Sequence, residues 1–177
     1  PPLVPGEAIA RTPQDIRDEI TMAVDQSRNA IVYVPPGVRL AFSSNVECKR
    51  AMHLSVRSSG EGATLDGKKR SNMFSISDGC SLYLEALHFV DGRGDYGGAV
   101  DAFGAGDIAM KDVSFTGCEA NDVRRPSLPR TARPHKLSLS DALPAYAFPP
   151  QLAQHGGGMY VLNSGDVSLE SASFSKC

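Results

Sequence analysis

Apolar residues recur at the first, third, sixth and eighth places of three separate runs along this chain. They are Leu82, Leu84, Leu87 and Phe89; Ile108, Met110, Val113 and Phe115; and Val167, Leu169, Ala172 and Phe174. A glycine stands just ahead of each run: Gly79, Gly106 and Gly165. A strand turns alternate side chains to one side, so this doubled alternation predicts two short strands joined by a bend. Self-similarity of this kind means one structural unit made repeatedly, and so small a unit buries its apolar face only against its neighbours. The pattern predicts an all-β chain, a right-handed parallel β-helix of about four coils. The alternative fold, an antiparallel sandwich, gives no reason for Phe89, Phe115 and Phe174 to align.

Superposing equivalents sets the frame. Val46 and Cys48 align with Phe74 and Ile76, then with Val100 and Ala102, then with Tyr160 and Leu162. Leu54 and Val56 align with Leu82 and Leu84, with Ile108 and Met110, and with Val167 and Leu169. The step is 28 residues, then 26, then 59, so the last interval holds one coil plus a long insertion. The expected organisation is one domain over residues 1–177, with coils at 31–120 and 156–177 and an inserted loop at 121–155. Upstream, Ile16, Ile20 and Val24 lie four apart behind Thr12, a suitable N-cap, and Pro13, suited to the first helical position. A short helix within 12–29 is therefore predicted to cap the first coil and cover its strand edges. The strand in AIVYVPPG follows and is ended by Pro35, Pro36 and Gly37.

Composition changes this picture in one place. Net charge is −2 over 177 residues, which argues against general nucleic-acid binding, and no apolar stretch approaches the length of a membrane span. The insertion differs from its surroundings. It holds six of the twelve prolines, and its five basic residues against two acidic ones make it +3 while the rest carries about −5. A loop this long is normally functional or disordered. Arg124, Arg125, Arg130 and Arg133, with Leu143, Tyr146 and Phe148, are the candidate partner-binding residues of a docking arm; the alternative is a passive surface insertion. No leader is visible ahead of Pro1, so either one has been removed or the sequence begins inside a longer chain.

Two strings carry a family resemblance: Phe89-Val90-Asp91-Gly92 followed by Gly97-Gly98-Ala99-Val100, and Phe115-Thr116-Gly117-Cys118 followed by Gly156-Gly157-Gly158-Met159-Tyr160. They resemble the paired GGA[ILV] and FxxN repeats of polymorphic outer membrane proteins, within the pectate-lyase-like β-helix superfamily. IVYVPPG and Gly60-Glu61-Gly62-Ala63-Thr64-Leu65-Asp66-Gly67 look like opening coils of that superfamily. Gly92, Cys118 and Cys177 stand where FxxN has Asn, so an asparagine ladder does not carry over. The resemblance implies an architecture more than an activity.

Candidate chemistry is sparse. Cys118 and Cys177 each stand three residues after a repeat Phe, which places them about 4.8 Å apart on adjacent coils. They either bond as a disulfide or stack reduced as small hydrophobes. Cys48 and Cys80 lie on neighbouring coils but not at equivalent positions. Asp78, Asp101, Asp107, Asp112 and Asp166 are the carboxylates from which an acid–base pair or a Ca²⁺ site would be drawn. Asp107 and Asp166 follow equivalent glycines, the mark of turn formers. No catalytic signature of the superfamily is legible, and neither a metal site nor a cofactor is expected. The triplet Arg93-Gly94-Asp95 and the run Lys68-Lys69-Arg70 read as turns between coils.

The function expected from these features is a non-catalytic scaffold or interaction module. No helix or polar coil follows Phe174 to close that end of the stack, so Leu169 and Phe174 are expected to meet further coils, the folded-back insertion or a neighbouring subunit. A peripheral subunit of a large assembly, attached to membrane proteins from the aqueous side, or part of a surface protein, fits. The expected location is non-cytosolic: secreted, at the cell surface or in an organelle lumen. The alternative is a carbohydrate-active enzyme or carbohydrate-binding module, which needs a groove with two non-equivalent carboxylates and an exposed aromatic. Tyr83 is the tyrosine expected to face outward from a repeat strand.

Overall fold

The repeated runs pair with one another in parallel, in the register their spacing predicts. The computed structural model describes residues 5–121 and 157–177. In chain order the elements begin with β1 (Ala8–Ile9), α1 (Pro13–Asp25), β2 (Ala30–Tyr33), β3 (Arg39–Ala41) and β4 (Val46–Cys48). They continue with β5 (His53–Arg57), β6 (Ala63–Asp66), β7 (Phe74–Ser77), β8 (Ser81–Val90) and β9 (Arg93–Gly94). The last are β10 (Val100–Phe103), β11 (Ile108–Thr116), β12 (Glu119–Ala120), β13 (Met159–Leu162), β14 (Val167–Glu170) and β15 (Ser173–Ser175).

The largest sheet runs β1-β2-β5-β8-β11-β14. The second halves of its bent strands continue it, as β3 pairs β6, β6 pairs β8 and β11 pairs β15. A second sheet runs β13-β10-β7-β4, and a small third one joins β9 to β12. Among the described residues every strand pair is parallel, which rules out the antiparallel sandwich. The fold is all-β with one helix. Leu54 pairs with Leu82, Leu82 with Ile108 and Ile108 with Val167, as their spacing requires.

The second sheet corrects one alignment. Val100 and Ala102 pair with Met159 and Val161, not with Tyr160 and Leu162. Because side chains alternate, this single step turns Met159 and Val161 toward the core and sets Tyr160 beside Asp101 on the other face.

Phe42, Phe74, Phe89 and Phe115 are fully buried and line up through the core. Ring centroids are 6.1 Å apart for Phe42–Phe74 and 6.0 Å for Phe74–Phe89, then 4.9 Å for Phe89–Phe115 and 4.7 Å for Phe115–Phe174, the last two pairs stacked. Stacking at this distance is what in-register parallel strands about 4.8 Å apart impose on identical aromatic residues.

The chain bends at stacked corners. Ala86, Asp112 and Ser171, each two residues past the paired Leu84, Met110 and Leu169, have φ of 53°, 52° and 51°. Asp91, Gly117 and Lys176 form a second left-handed column, and Asp78, Gly104 and Asn163 a third. The bend expected between the halves of each run is thus a single left-handed residue, repeated at the same level of successive repeats. Gly98 answers a different need: a Cβ there would sit 1.9 Å from the Gly157 carbonyl oxygen. Gly92 is equally confined, with the Gly98 oxygen 2.2 Å from its would-be Cβ, which accounts for the absence of Asn at that place.

Helix α1 starts with a capping box in which the Asp15 backbone N–H donates to Thr12 Oγ1 and the Thr12 N–H to Asp15 Oδ2. Its buried face is Ile16, Glu19, Ile20 and Ala23, while Val24, expected inside, is half-buried. The Glu19 carboxylate is paired with Arg28, so the buried charge is compensated. Arg17 donates to the Ser44 carbonyl at 2.8 Å and to that of Asn45 at 3.2 Å, holding the helix beside β4. Among the described residues no helix is long and apolar enough to cross a membrane.

Two substitutions separate these backbone demands. Gly98→Ala is expected to lower stability by about 3 kcal/mol, because backbone rather than a movable side chain meets the new Cβ. Ala86→Gly is expected to raise it by about 1 kcal/mol, by relieving a left-handed alanine. Urea denaturation of both variants measures the contrast.

Candidate functional site

Two surfaces stand out, and the ladders build both. The first is the outer edge of β14 and β15, beside which no strand lies among the described residues. Leu169 is 42 % exposed and Phe174 41 %, whereas Met110 and Phe115, their ladder partners, are at most 1 % exposed. Helix α1 packs against β1, β2 and β4 toward the opposite end of the sheets.

The outward face of the large sheet carries a register column reading Tyr33, Arg57, Glu85, Lys111 and Glu170. From Arg57 onward the charges alternate. Arg57 Nη2 donates to Glu7 Oε2 at 2.8 Å, and its guanidinium lies 6.0 Å from the Tyr33 ring centroid. Lys111 Nζ is 3.6 Å from Glu85 Oε1, so its charge is engaged on the side away from β14. Glu170 has no ion-pair partner among the described residues. Burial pushes the Tyr83 phenol above its ordinary range, and Glu85 and then Glu170 push it further.

The second surface is a polar cleft of about 380 Å³ over the β4-β7-β10-β13 sheet. Ser75 and Asp101 rise from β7 and β10 as ladder neighbours and form part of its lining. Ser44, Asn45, Arg70, Ser71 and Asn72 contribute from the turns before β4 and β7. Arg93, Gly94, Asp95, Tyr96 and Asn121 complete it from the region of the small third sheet. Arg93 Nε donates to Asn121 Oδ1 at 2.7 Å. Tyr96 stacks on Tyr160, ring centroids 5.2 Å apart, and this contact covers the tyrosine that the register step turned outward. Burial raises the Asp101 carboxyl above the usual carboxylate range, and the nearby Asp95 raises it further. Burial likewise raises the Tyr160 phenol, with Asp101 adding to it.

The expected site residues are thereby sorted. Of the five candidate aspartates only Asp101 lines the cleft. Asp107 accepts from the Asp166 backbone N–H at 3.1 Å, a turn role that the glycines ahead of both foretell. Asp78 and Asp112 are left-handed corner residues. The Arg-Gly-Asp triplet lines the cleft, Arg70 joins it, and Lys68 instead pairs with the buried Asp66 at 2.8 Å. Tyr83 is half-buried on the large sheet, away from the cleft, and the exposed aromatic residue in the cleft lining is Tyr96. His88 has two partners: Ser114 Oγ at 2.8 Å from Nδ1 and the Glu61 carbonyl oxygen at 2.7 Å from Nε2. A carbonyl only accepts, so Nε2 carries the proton. Arg124, Arg125, Arg130, Arg133, Leu143, Tyr146 and Phe148 lie outside the described residues.

Of the two readings open for Cys118 and Cys177 the structure has the reduced one, and the disulfide forms at the non-equivalent pair instead. The disulfide joins Cys48 to Cys80, with Cα atoms 6.0 Å apart, and Cys118 and Cys177 are free thiols. Cys48 is the ladder partner of Ile76, but the left-handed pair Asp78-Gly79 turns the chain so that Cys80 bridges a corner rather than a rung. Cys118 and Cys177 do stack as reduced thiols. Each Sγ addresses the carbonyl of the repeat Phe one level back, Phe89 at 3.9 Å and Phe115 at 3.6 Å. Burial pushes the Cys118 thiol up to about 11, while Cys177 is exposed. Among the described residues no group of His, Cys, Asp and Glu is arranged to hold a metal ion.

Comparison with protein-family models, with curated proteins and with solved structures finds no match for this chain.

Three outcomes check this arrangement. Removing the bridge with Cys48→Ser is expected to cost roughly 3–4 kcal/mol by chain-entropy reasoning for a loop of this length. In the native protein, iodoacetamide with mass mapping is expected to label Cys177 well before Cys118. Asp101→Asn tests the raised carboxyl. Below the unfolded pKa of about 3.9 both states are protonated and the substitution changes little. As pH rises through the raised folded value, ionisation penalises the folded state, so Asp101→Asn is expected to stabilise at pH near 7 and not at pH near 3. Thermal melts across that range read the difference.

Proposed function

We propose that this chain is a non-catalytic scaffold of right-handed parallel β-helix form, a relative in architecture of the pectate-lyase-like proteins, whose β14–β15 edge receives a strand of a partner protein. The observation that carries the reading is the asymmetry of the stack. Helix α1 packs beside the first strands, whereas Leu169 and Phe174 present the repeat's inward-facing positions to solvent. Exposed apolar side chains beside unpaired backbone groups are the features that strand addition uses. The three columns of left-handed corners and the run of phenylalanine rings support the helical winding. The Cys48–Cys80 bridge supports a non-cytosolic location, in a peripheral subunit of an assembly or part of a surface protein. The Arg-rich insertion would serve as a second contact, approaching membrane-bound partners from the aqueous side.

A second reading, a carbohydrate-binding module, is favoured by the cleft. Asp95 and Asp101 are non-equivalent carboxylates, Tyr96 offers an exposed ring, and the amides and hydroxyls around them suit a polyhydroxylated ligand.

Hydrogen exchange read by mass spectrometry separates the two. A synthetic peptide with the sequence of residues 108–120 is expected to slow exchange over residues 167–175. Slowing confined to residues 93–101 on addition of pectic or xylan oligosaccharides, with no effect of the peptide, overturns the scaffold reading in favour of the second.

A further inference from the structure

On the outward face of the large sheet, past its corners, Thr64, His88, Ser114 and Ser173 form one register column. We infer that Ser114 is a nucleophile with His88 as its general base, and that it accepts an acyl group from an activated ester or thioester. This goes beyond the scaffold reading and does not depend on it. A neutral imidazole has one N–H and one lone pair, and the Glu61 carbonyl takes the N–H at Nε2. The lone pair is therefore at Nδ1, 2.8 Å from Ser114 Oγ, and the hydroxyl donates to it. A hydroxyl bonded to a base that a third group orients is the arrangement by which a weak nucleophile is activated.

The orienting carbonyl is itself held in place. Gly62, the residue after Glu61, donates its N–H to the Ser59 carbonyl at 3.0 Å, and its own carbonyl accepts from the Gly37 N–H at 2.8 Å. Its φ is 82°, and a Cβ there would lie 2.9 Å from His88 Nε2 and 2.7 Å from the Ala86 carbonyl oxygen. Glycine at this place is what lets the Glu61 peptide close on the ring. The β8–β11 ladder sets His88 and Ser114 directly opposite each other, and both side chains are half-buried rather than sealed from solvent.

In the step itself, Ser114 Oγ bonds to the acyl carbonyl carbon as its proton passes to His88 Nδ1. The bond from that carbon to the leaving oxygen or sulfur then breaks, and the proton returns from His88 to the alcohol or thiol released. The products are acyl-Ser114 and that alcohol or thiol. The backbone around Ser114 is committed to ladder pairing with β8 and β15, so it offers little to a developing oxyanion. This limits the donor to activated esters and thioesters, and it makes Ser114 an acceptor of one acyl group rather than a centre of turnover.

The test treats the intact chain with p-nitrophenyl acetate and locates the acetyl groups by peptide mass mapping over time. Ser55, also half-buried on the outward face of this sheet, is the internal reference. Ser114 is expected to be acetylated about a hundredfold faster than Ser55, the lower end of what a positioned base contributes. In concentrated urea the two rates are expected to converge, because the base is in place only in the folded chain. His88→Gln, which keeps a side chain able to bond Ser114, is expected to bring its rate down to that of Ser55. Equal rates for Ser114 and Ser55 in the folded native chain overturn the inference without need of any variant. Fast acetylation of Ser114 that persists in urea, or in a folded His88→Gln chain, overturns it as well.

Discussion

Everything in this molecule follows from parallel strands lying level by level, so that each residue sits over its equivalent in the next repeat. A rung of such a stack tolerates only what its neighbours can also adopt. The left-handed residue at each corner is matched by another above it, and so Ala86, Asp112 and Ser171 share one backbone conformation although their side chains have nothing in common. The same constraint leaves no room for a Cβ at Gly98, where the next repeat passes within contact distance, and at Gly92 the Gly98 carbonyl of the same repeat fills that space. Side chains then stack of necessity, and identical aromatic residues at one position become a run of overlapping rings.

Charge is handled in the same frame. Buried carboxylates are compensated one by one. Asp66 is 1 % exposed, and although burial alone would raise its carboxyl, Lys68 and Arg39 hold it below the usual range. Glu19 meets Arg28 and Glu7 meets Arg57. The half-buried Asp101 behaves differently: burial and then the nearby Asp95 raise its carboxyl rather than lower it. A carboxylate kept where it disfavours folding is a feature associated with binding sites, which is why the cleft supports a second functional reading beside the edge.

Much of the fold was legible from spacing alone, and the misses share one cause. Period-two alternation located the strands, and the 28- and 26-residue steps gave the register of the large sheet residue for residue. The close approaches at Gly92 and Gly98 were not read from the sequence, where these glycines only carried the resemblance. The Val100–Met159 register was misjudged by one residue because the insertion interrupts the count, and a glycine run carries no side-chain pattern to restart it. Tyr96 escaped notice and Asp95 was read only as part of a turn, because both lie outside the repeat and reach the cleft only in the folded chain. The two partners of His88 come from neighbouring repeats, so the spacing within its own run gives no sign of them.

What the sequence by itself determined is whatever repeats: the alternation, the corner spacing, the capping residues of α1 and the parallel pairing of equivalents, since each depends on local backbone geometry copied from level to level. Only the tertiary structure decided which non-equivalent residues meet. Cys80 reaches Cys48 across a corner while the equivalent pair, Cys118 and Cys177, stacks without bonding. Asp101 and Tyr160 become neighbours through a one-residue step, and Glu170 comes to stand across from Lys111. Such meetings depend on the angle through which each corner turns the chain, and spacing along a sequence does not encode that angle.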